Sequence, residues 1–136
     1  MSYDTVKNGI ATRLNACGFT ESSQVDFKTA LANESGTRFI IKCLSGENQE
    51  NTIIDRFDDA QDWQILIAFE RSENNDITQL DALHRAKDIL IADLDKPANW
   101  SSFAKILKYN KWTVEETTNF YVLDIRLFVL SEYIHG

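Results

Sequence analysis

The clearest hydrophobic pattern in the chain is a long alternating stretch near its C-terminus, residues 119–133. β-Branched and aromatic residues dominate it and no Gly or Pro interrupts it, which is typical of a β-strand. Because successive side chains of a strand point to opposite faces, the pattern predicts one buried face and one mixed face. The predicted buried face carries Tyr121, Leu123, Ile125, Leu127 and Val129.

The mixed face of this predicted strand changes character along its length. Asp124 and Arg126 make one end polar, whereas Phe128 and Leu130 make the other end apolar. Large apolar side chains grouped on a surface usually mark a contact. We therefore expect Phe128 and Leu130 to be covered either by another part of this chain or by another chain.

Three further stretches predict strands, at residues 37–44, 63–71 and 105–116. The stretch 63–71 has four large apolar side chains in phase, which favours a central strand. The stretch 105–116 leads through a short polar connection into 119–133, so these two strands should form a β-hairpin.

Apolar residues recur at the spacing typical of an α-helix in two segments of the chain. The first predicted helix ends at Gly18, a residue suited to the left-handed position that follows a helix. The second begins at Asp76 and ends before Pro97. The order helix, strand, strand, helix, strand, strand predicts one α+β domain over residues 1–136, an antiparallel β-sheet of about four strands with two main helices packed on it.

Residues 45–62 lack a sustained period and are rich in carboxylates. A long irregular segment between strands is often functional. We predict a mobile acidic arm at about 45–62 that orders against a neighbour. Its proposed interface residues are Ile53, Ile54, Asp55, Phe57, Asp58 and Asp59, to which Phe128 and Leu130 are added.

Composition narrows the classes of partner. The chain has 136 residues, 43% of them hydrophobic, and a formal net charge of -7. That charge argues against general binding of nucleic acids or anionic membranes, because both need a basic surface. Cys17 and Cys43 show no zinc or disulfide spacing and are expected to be reduced thiols. With no apolar run of about 20 residues and no leader pattern, we expect a soluble protein made in the cytoplasm.

One basic and aromatic stretch stands out, in which Lys105, Lys108 and Lys111 alternate with Tyr109 and Trp112. Aromatic stacking combined with lysines is one way to hold single-stranded nucleic acid. Lysines also protect a sheet edge from indiscriminate pairing, and we favour this interpretation. On a regular strand, Lys105 and Lys111 would point away from Lys108, leaving only an incidental contact with DNA as the functional alternative.

No residue pattern predicts catalysis, a metal or a cofactor. Asp55, Asp58, Asp59 and Asp62 lack the spacing and the turn glycine of a calcium loop. His84 and His135 have no nucleophile at a recognisable spacing. No glycine-rich phosphate loop is present. We predict that the protein is not an enzyme and needs no cofactor.

The layout resembles the tail terminator, or tail completion, proteins of long-tailed bacteriophages and prophages. The resemblance rests on the opening helix that ends in Gly18 and Phe19, the aromatic strand 63–69, the helix 84–94, Pro97 with Trp100, and the closing strand 121–129. It is a pattern over most of the chain and not a short motif.

The resemblance implies a structural role. Members of that family are small α+β subunits of a ring, usually hexameric, that caps the tail tube and forms part of the surface joining tail to head. The implied partners are further copies of the chain, the tail tube protein and head-tail connector proteins, and the implied location is the head-proximal end of the virion tail. The alternatives are a small monomeric α+β binding domain, with Trp63, Trp100 and Trp112 lining a pocket, and an acidic immunity-like adaptor that masks a basic toxin.

Overall fold

The computed structural model describes residues 3–21, 38–49, 56–71 and 76–134. Its two α-helices are α1 (Tyr3–Ala16) and α2 (Asp76–Leu94). Its five strands are β1 (Thr20–Glu21), β2 (Arg38–Gln49), β3 (Arg56–Glu70), β4 (Ile106–Glu116) and β5 (Phe120–Ile134), and a short 3-10 turn spans Pro97–Asn99.

All five strands belong to one sheet with the order β1-β2-β3-β5-β4. The predicted α+β class is confirmed, and β3 is the central strand as expected. The β4–β5 hairpin is also confirmed as an antiparallel pair. Within the described ranges the sheet has five strands and not four, because β1 adds a short parallel pairing beside β2, Thr20 opposite Arg38.

Both helices pack on the same face of the sheet. The core on that face combines buried residues of α1 and α2 with the inward side chains of β2, β3 and β5, all five predicted buried residues of β5 among them. Arg13 of α1 joins the helices through a two-pronged contact with Asp93 of α2, with Nε–Oδ2 at 2.9 Å and Nη2–Oδ1 at 2.5 Å. Within the described helices, neither is long and apolar enough to cross a membrane.

The prediction of an irregular acidic arm at about 45–62 is wrong for most of that segment. Residues 45–49 continue β2 and residues 56–62 begin β3, whereas residues 50–55, which include Ile53, Ile54 and Asp55, lie outside the described residues. The physical reason is the partner strand: β5 pairs with β3 without interruption from Arg56 opposite Ile134 to Glu70 opposite Phe120. A long apolar strand thus supplies backbone hydrogen bonds that hold a polar stretch extended despite its weak local pattern.

Two β-bulges interrupt the ladders. In β2 the register with β3 shifts between Cys43 and Ser45, leaving Leu44 as the extra residue. In β4 the register with β5 shifts between Tyr109 and Lys111, leaving Asn110 as the extra residue. Each bulge reverses which face the following side chains occupy, compared with an uninterrupted strand.

Candidate functional site: the open face of the sheet

The open face is the side of the sheet opposite the two helices. Directly opposed residues of neighbouring strands share a face, so the pairing registers define rows of side chains that cross the sheet. One row contains Lys42, Gln64, Arg126 and Lys111, and the next contains Ser45, Asp62, Phe128 and Lys108. The open face therefore carries the mixed side of β5 that the sequence pattern predicted.

The predicted apolar residues Phe128 and Leu130 lie on this face and are half-buried. Leu130 lies between Ala60 of β3 and Ile106 of β4. Ile106 is 36% exposed, which makes it one of the exposed large hydrophobic residues of the chain. We call Ala60, Ile106, Phe128 and Leu130 the apolar patch.

Charged side chains border the apolar patch near the C-terminal end of β5. Lys105 Nζ contacts Asp58 Oδ1 at 3.0 Å and Oδ2 at 3.1 Å, and lies 3.9 Å from Glu132 Oε2. Asp58 and Glu132 are directly opposed in register, so the lysine relieves a pair of like charges. This ion cluster gives Lys105 partners within the chain, which does not favour the predicted contact with DNA.

The predicted interface carboxylates separate onto two faces. Asp58 is on the open face, whereas Asp59 is on the helix side and accepts a hydrogen bond from Gln61 Nε2 at 2.7 Å. Gln61 in turn accepts one from Trp63 Nε1 at 2.9 Å through its buried carbonyl oxygen. Asp59 thus ends a polar chain that starts in the core. Phe57 lies in β3 opposite Tyr133.

The predicted orientation of the three lysines is wrong. Because Asn110 is an extra residue, Lys108 opposes Phe128 and Lys111 opposes Arg126, so both lysines are on the open face. Trp112 consequently faces the helices, where Lys87 Nζ lies 4.1 Å from its ring centroid. An alternating pattern alone could not reveal this, since a bulge has no signature in the residue types around Asn110.

A depression of about 360 Å³ crosses the middle of the open face. Its lining comes from four strands and includes the two extra residues of the bulges: Leu44, Ser45, Asp62, Trp63, Asn110, Lys111, Arg126 and Leu127. Of these residues, the sequence suggested Lys111 for a contact with DNA and Trp63 for a pocket. Ser45, Asp62 and Asn110 are distant from one another in sequence, and only the strand pairing brings them together.

The electrostatics of this region are set by a few contacts. Arg126 binds Asp124 through Nε at 3.0 Å and Nη2 at 3.4 Å, and Gln64 Nε2 donates to the same carboxylate at 2.9 Å. On the other side of the depression, Ser45 Oγ donates to Asp62 Oδ2 at 3.0 Å.

The two cysteines are free and half-buried. Burial is the main cause that raises the pKa of both the Cys17 and the Cys43 thiols, although a backbone hydrogen bond with Ser45 acts in the opposite direction at Cys43. A raised pKa lowers the thiolate fraction at neutral pH, which makes both thiols weaker nucleophiles.

Metal ligation finds no support in the part of the chain that the structure describes, because no group of three or more His, Cys, Asp or Glu side chains there could hold an ion. A scan against protein-family models finds no matching family, and a search of curated proteins finds no match. The chemistry of the open face is therefore the main guide to what it binds.

Proposed function

We propose that the protein is a structural subunit that assembles with copies of itself into a ring, as its resemblance to tail terminator proteins implies. In this proposal the ring caps a phage tail tube and forms part of the head-tail joining surface. The subunit performs no catalysis, and its partners are its own copies, the tail tube protein and head-tail connector proteins. It is made in the bacterial host and is located in the virion at the head-proximal end of the tail.

The apolar patch is the observation that carries this proposal. The helices cover the other face of the sheet, and Ile106, Phe128 and Leu130 are each only partly covered within the chain. Removing such side chains from water stabilises an interface by about 25 cal/mol per Å² of apolar area. The charged rows on both sides of the patch supply the polar rim that interfaces commonly have.

The direct test is the oligomeric state. Native mass spectrometry and sedimentation velocity over a wide range of concentration should detect a closed homo-oligomer, either alone or on addition of the tail tube protein. Leu130→Asp places a carboxylate in the patch and should weaken assembly by about tenfold or more, the equivalent of about 1.4 kcal/mol or more.

Ile89→Asp is the matched control, because Ile89 is an aliphatic residue of α2 that is 58% exposed and lies outside the patch. It should leave assembly unchanged. Circular dichroism and thermal unfolding establish that both variants are folded. A chain that stays monomeric at every concentration, with the tail tube protein present, would refute the proposal.

A small-molecule binding domain is the second candidate, and the depression on the open face favours it. Of the tryptophans that the sequence suggested as pocket residues, Trp63 lines the depression although it is fully buried, whereas Trp100 and Trp112 pack against the core and are not part of its lining. The acidic adaptor remains a third candidate, which capture of a basic toxin would support.

A further inference from the structure

Two β-bulges in different strands border the same depression. The shift in β2 lies beside Trp63 and the shift in β4 lies beside Leu127, and Trp63 and Leu127 are themselves directly opposed. Bulges cost regular pairing and commonly serve to redirect side chains at functional sites. Here the β4 bulge turns Lys111 onto the open face, and both extra residues line the depression.

The redirected lysine creates an unfavourable pairing of like charges. Lys111 is directly opposite Arg126 on the neighbouring strand. Like charges in directly opposed positions destabilise a sheet. Lys42 extends the same row on β2, so three of its four positions are basic in a chain of net charge -7. Asp124 offsets one of these charges through its contact with Arg126.

The remaining donors of this row suit an oxyanion. Arg126 uses Nε and Nη2 to bind Asp124, so its other edge, with Nη1, is directed away from that carboxylate. An arginine edge can bind two oxygens of a phosphate at once, and a neighbouring lysine adds a flexible donor. Asp62, on the opposite wall, is an acceptor for a protonated oxygen of the same group.

We propose that the depression between the two bulges binds a phosphate group, with Arg126 and Lys111 as donors and Asp62 accepting a hydrogen bond from the protonated phosphate oxygen. The group is free phosphate or a phosphomonoester, because the internal diesters of a nucleic acid strand have no proton for Asp62 to accept. Its source is either a small molecule or the terminal phosphate of a nucleic acid strand. The site goes beyond the proposed ring and does not depend on it, because all of its residues come from one subunit.

Calorimetric titration with inorganic phosphate, at constant ionic strength maintained with sodium chloride, tests the site. The intact chain should bind phosphate, and Lys111→Gln should weaken binding by about tenfold or more, as expected for the loss of a charge-assisted hydrogen bond. Lys108→Gln is the matched control: Lys108 is exposed on the same strand and face but opposes Phe128. It should change the affinity less than about twofold.

A second measurement separates binding from a general charge effect. Without phosphate, Lys111→Gln should raise the melting temperature at low salt, because it removes the cation pair, and it should abolish the increase that phosphate produces in the intact chain. Lys108→Gln should retain the phosphate response. Equal binding by the intact chain and Lys111→Gln, or absence of binding by the intact chain, would overturn the proposal.

A short single-stranded oligodeoxynucleotide that carries a 5′-terminal phosphate distinguishes the two sources of phosphate. If inorganic phosphate displaces it, and Lys111→Gln weakens both ligands, the site is the proposed one and accepts a nucleic acid strand. If the oligonucleotide does not bind while phosphate does, the source is a small molecule. Binding of the oligonucleotide without any binding of phosphate would refute a site for a single phosphate group.

Discussion

Gly9 is the residue at which local preference and packing disagree most clearly. It lies inside α1, where glycine is unfavourable by about 1 kcal/mol relative to alanine. A Cβ atom at this position would lie 2.3 Å from Cδ1 of Phe103, a contact that real side chains do not make. The neighbour that fills this space is the buried ring of Phe103, in the segment before β4.

We predict that Gly9→Ala destabilises the fold by about 1–3 kcal/mol, because the cost of overpacking exceeds the gain in helix propensity. Urea unfolding followed by circular dichroism measures the change. Asn8→Ala is the control, since Asn8 is the neighbouring exposed position of the same helix. Its free energy of unfolding should stay equal or rise slightly. Greater stability of Gly9→Ala would show that Phe103 moves aside at little cost.

Lys87 is a charged residue at a position of α2 where the helical pattern calls for an apolar one. It interrupts the apolar stripe of α2, yet only 13% of its side chain is exposed. Its ammonium group lies over the face of Trp112 and 3.1 Å from Asp88 Oδ1. A cation over an aromatic face is worth about 0.5–2 kcal/mol. The lysine thus belongs to the contact between α2 and β4 and does not mark a break in it.

Among the elements, β4 depends most on a single feature, the bulge at Asn110. Before it, Leu107 is buried, and after it, Trp112 and Val114 pack against the core. These three positions share the helix side only because one residue is inserted between them. The bulge therefore preserves the packing of β4 while it delivers Lys111 to the open face.

Deletion of Asn110 should destabilise the protein by about 3 kcal/mol, because a regular ladder would turn either Leu107 or the pair Trp112 and Val114 away from the helices. Asn110→Ala keeps the chain length and should have little effect. Chemical unfolding measures both variants, and the tryptophan fluorescence of the deletion should report a more exposed environment. A deletion as stable as the substitution would mean that the β4 register is not set by this bulge.

At the scale of the whole molecule, the sheet is built around β3. This strand is paired along its length with β5 and with β2, whereas β4 is the last strand of the order and has one neighbour among the described strands. Among the described strands, the residues with the most complete burial concentrate in β3 and β5 and include Trp63, Ile65, Ile67, Leu123 and Ile125. Local opening should therefore begin at the edge and reach the centre last.

Hydrogen exchange measured on the dilute protein should show the slowest amides in the middle of β3, near Ile65 and Ile67. The outward amides of β4 should exchange fastest among the strand residues of the β4–β5 hairpin. Repeating the measurement at high concentration indicates whether assembly covers the β4 edge or only the open face. Equally slow exchange in β3 and β4 of the dilute chain would contradict a free β4 edge.

The sequence alone was sufficient for features whose signals are local. The end of α1 is one: Gly18 has φ 95°, and Phe19 N–H and Gly18 N–H donate to the carbonyls of Leu14 and Asn15, both at 3.1 Å. The helical periods, the inward face of β5 and the β4–β5 hairpin were also predictable, because repeat length and turn residues act within a few positions. Together they were enough for the α+β class.

Only the tertiary structure decided how the strands align and where they end. The extension of β3 into the acidic stretch depends on a partner, β5, that lies about 70 residues later in the chain, and the extension of β2 depends in turn on β3. The bulges depend on the pairing register between strands, which the sequence of a single strand does not determine. The depression lined by Ser45, Asp62, Lys111 and Arg126 combines both, and for that reason it could not be recognised before the sheet was assembled. Periodicity assigns a side chain to one of two faces, but only pairing determines which distant residues share that face.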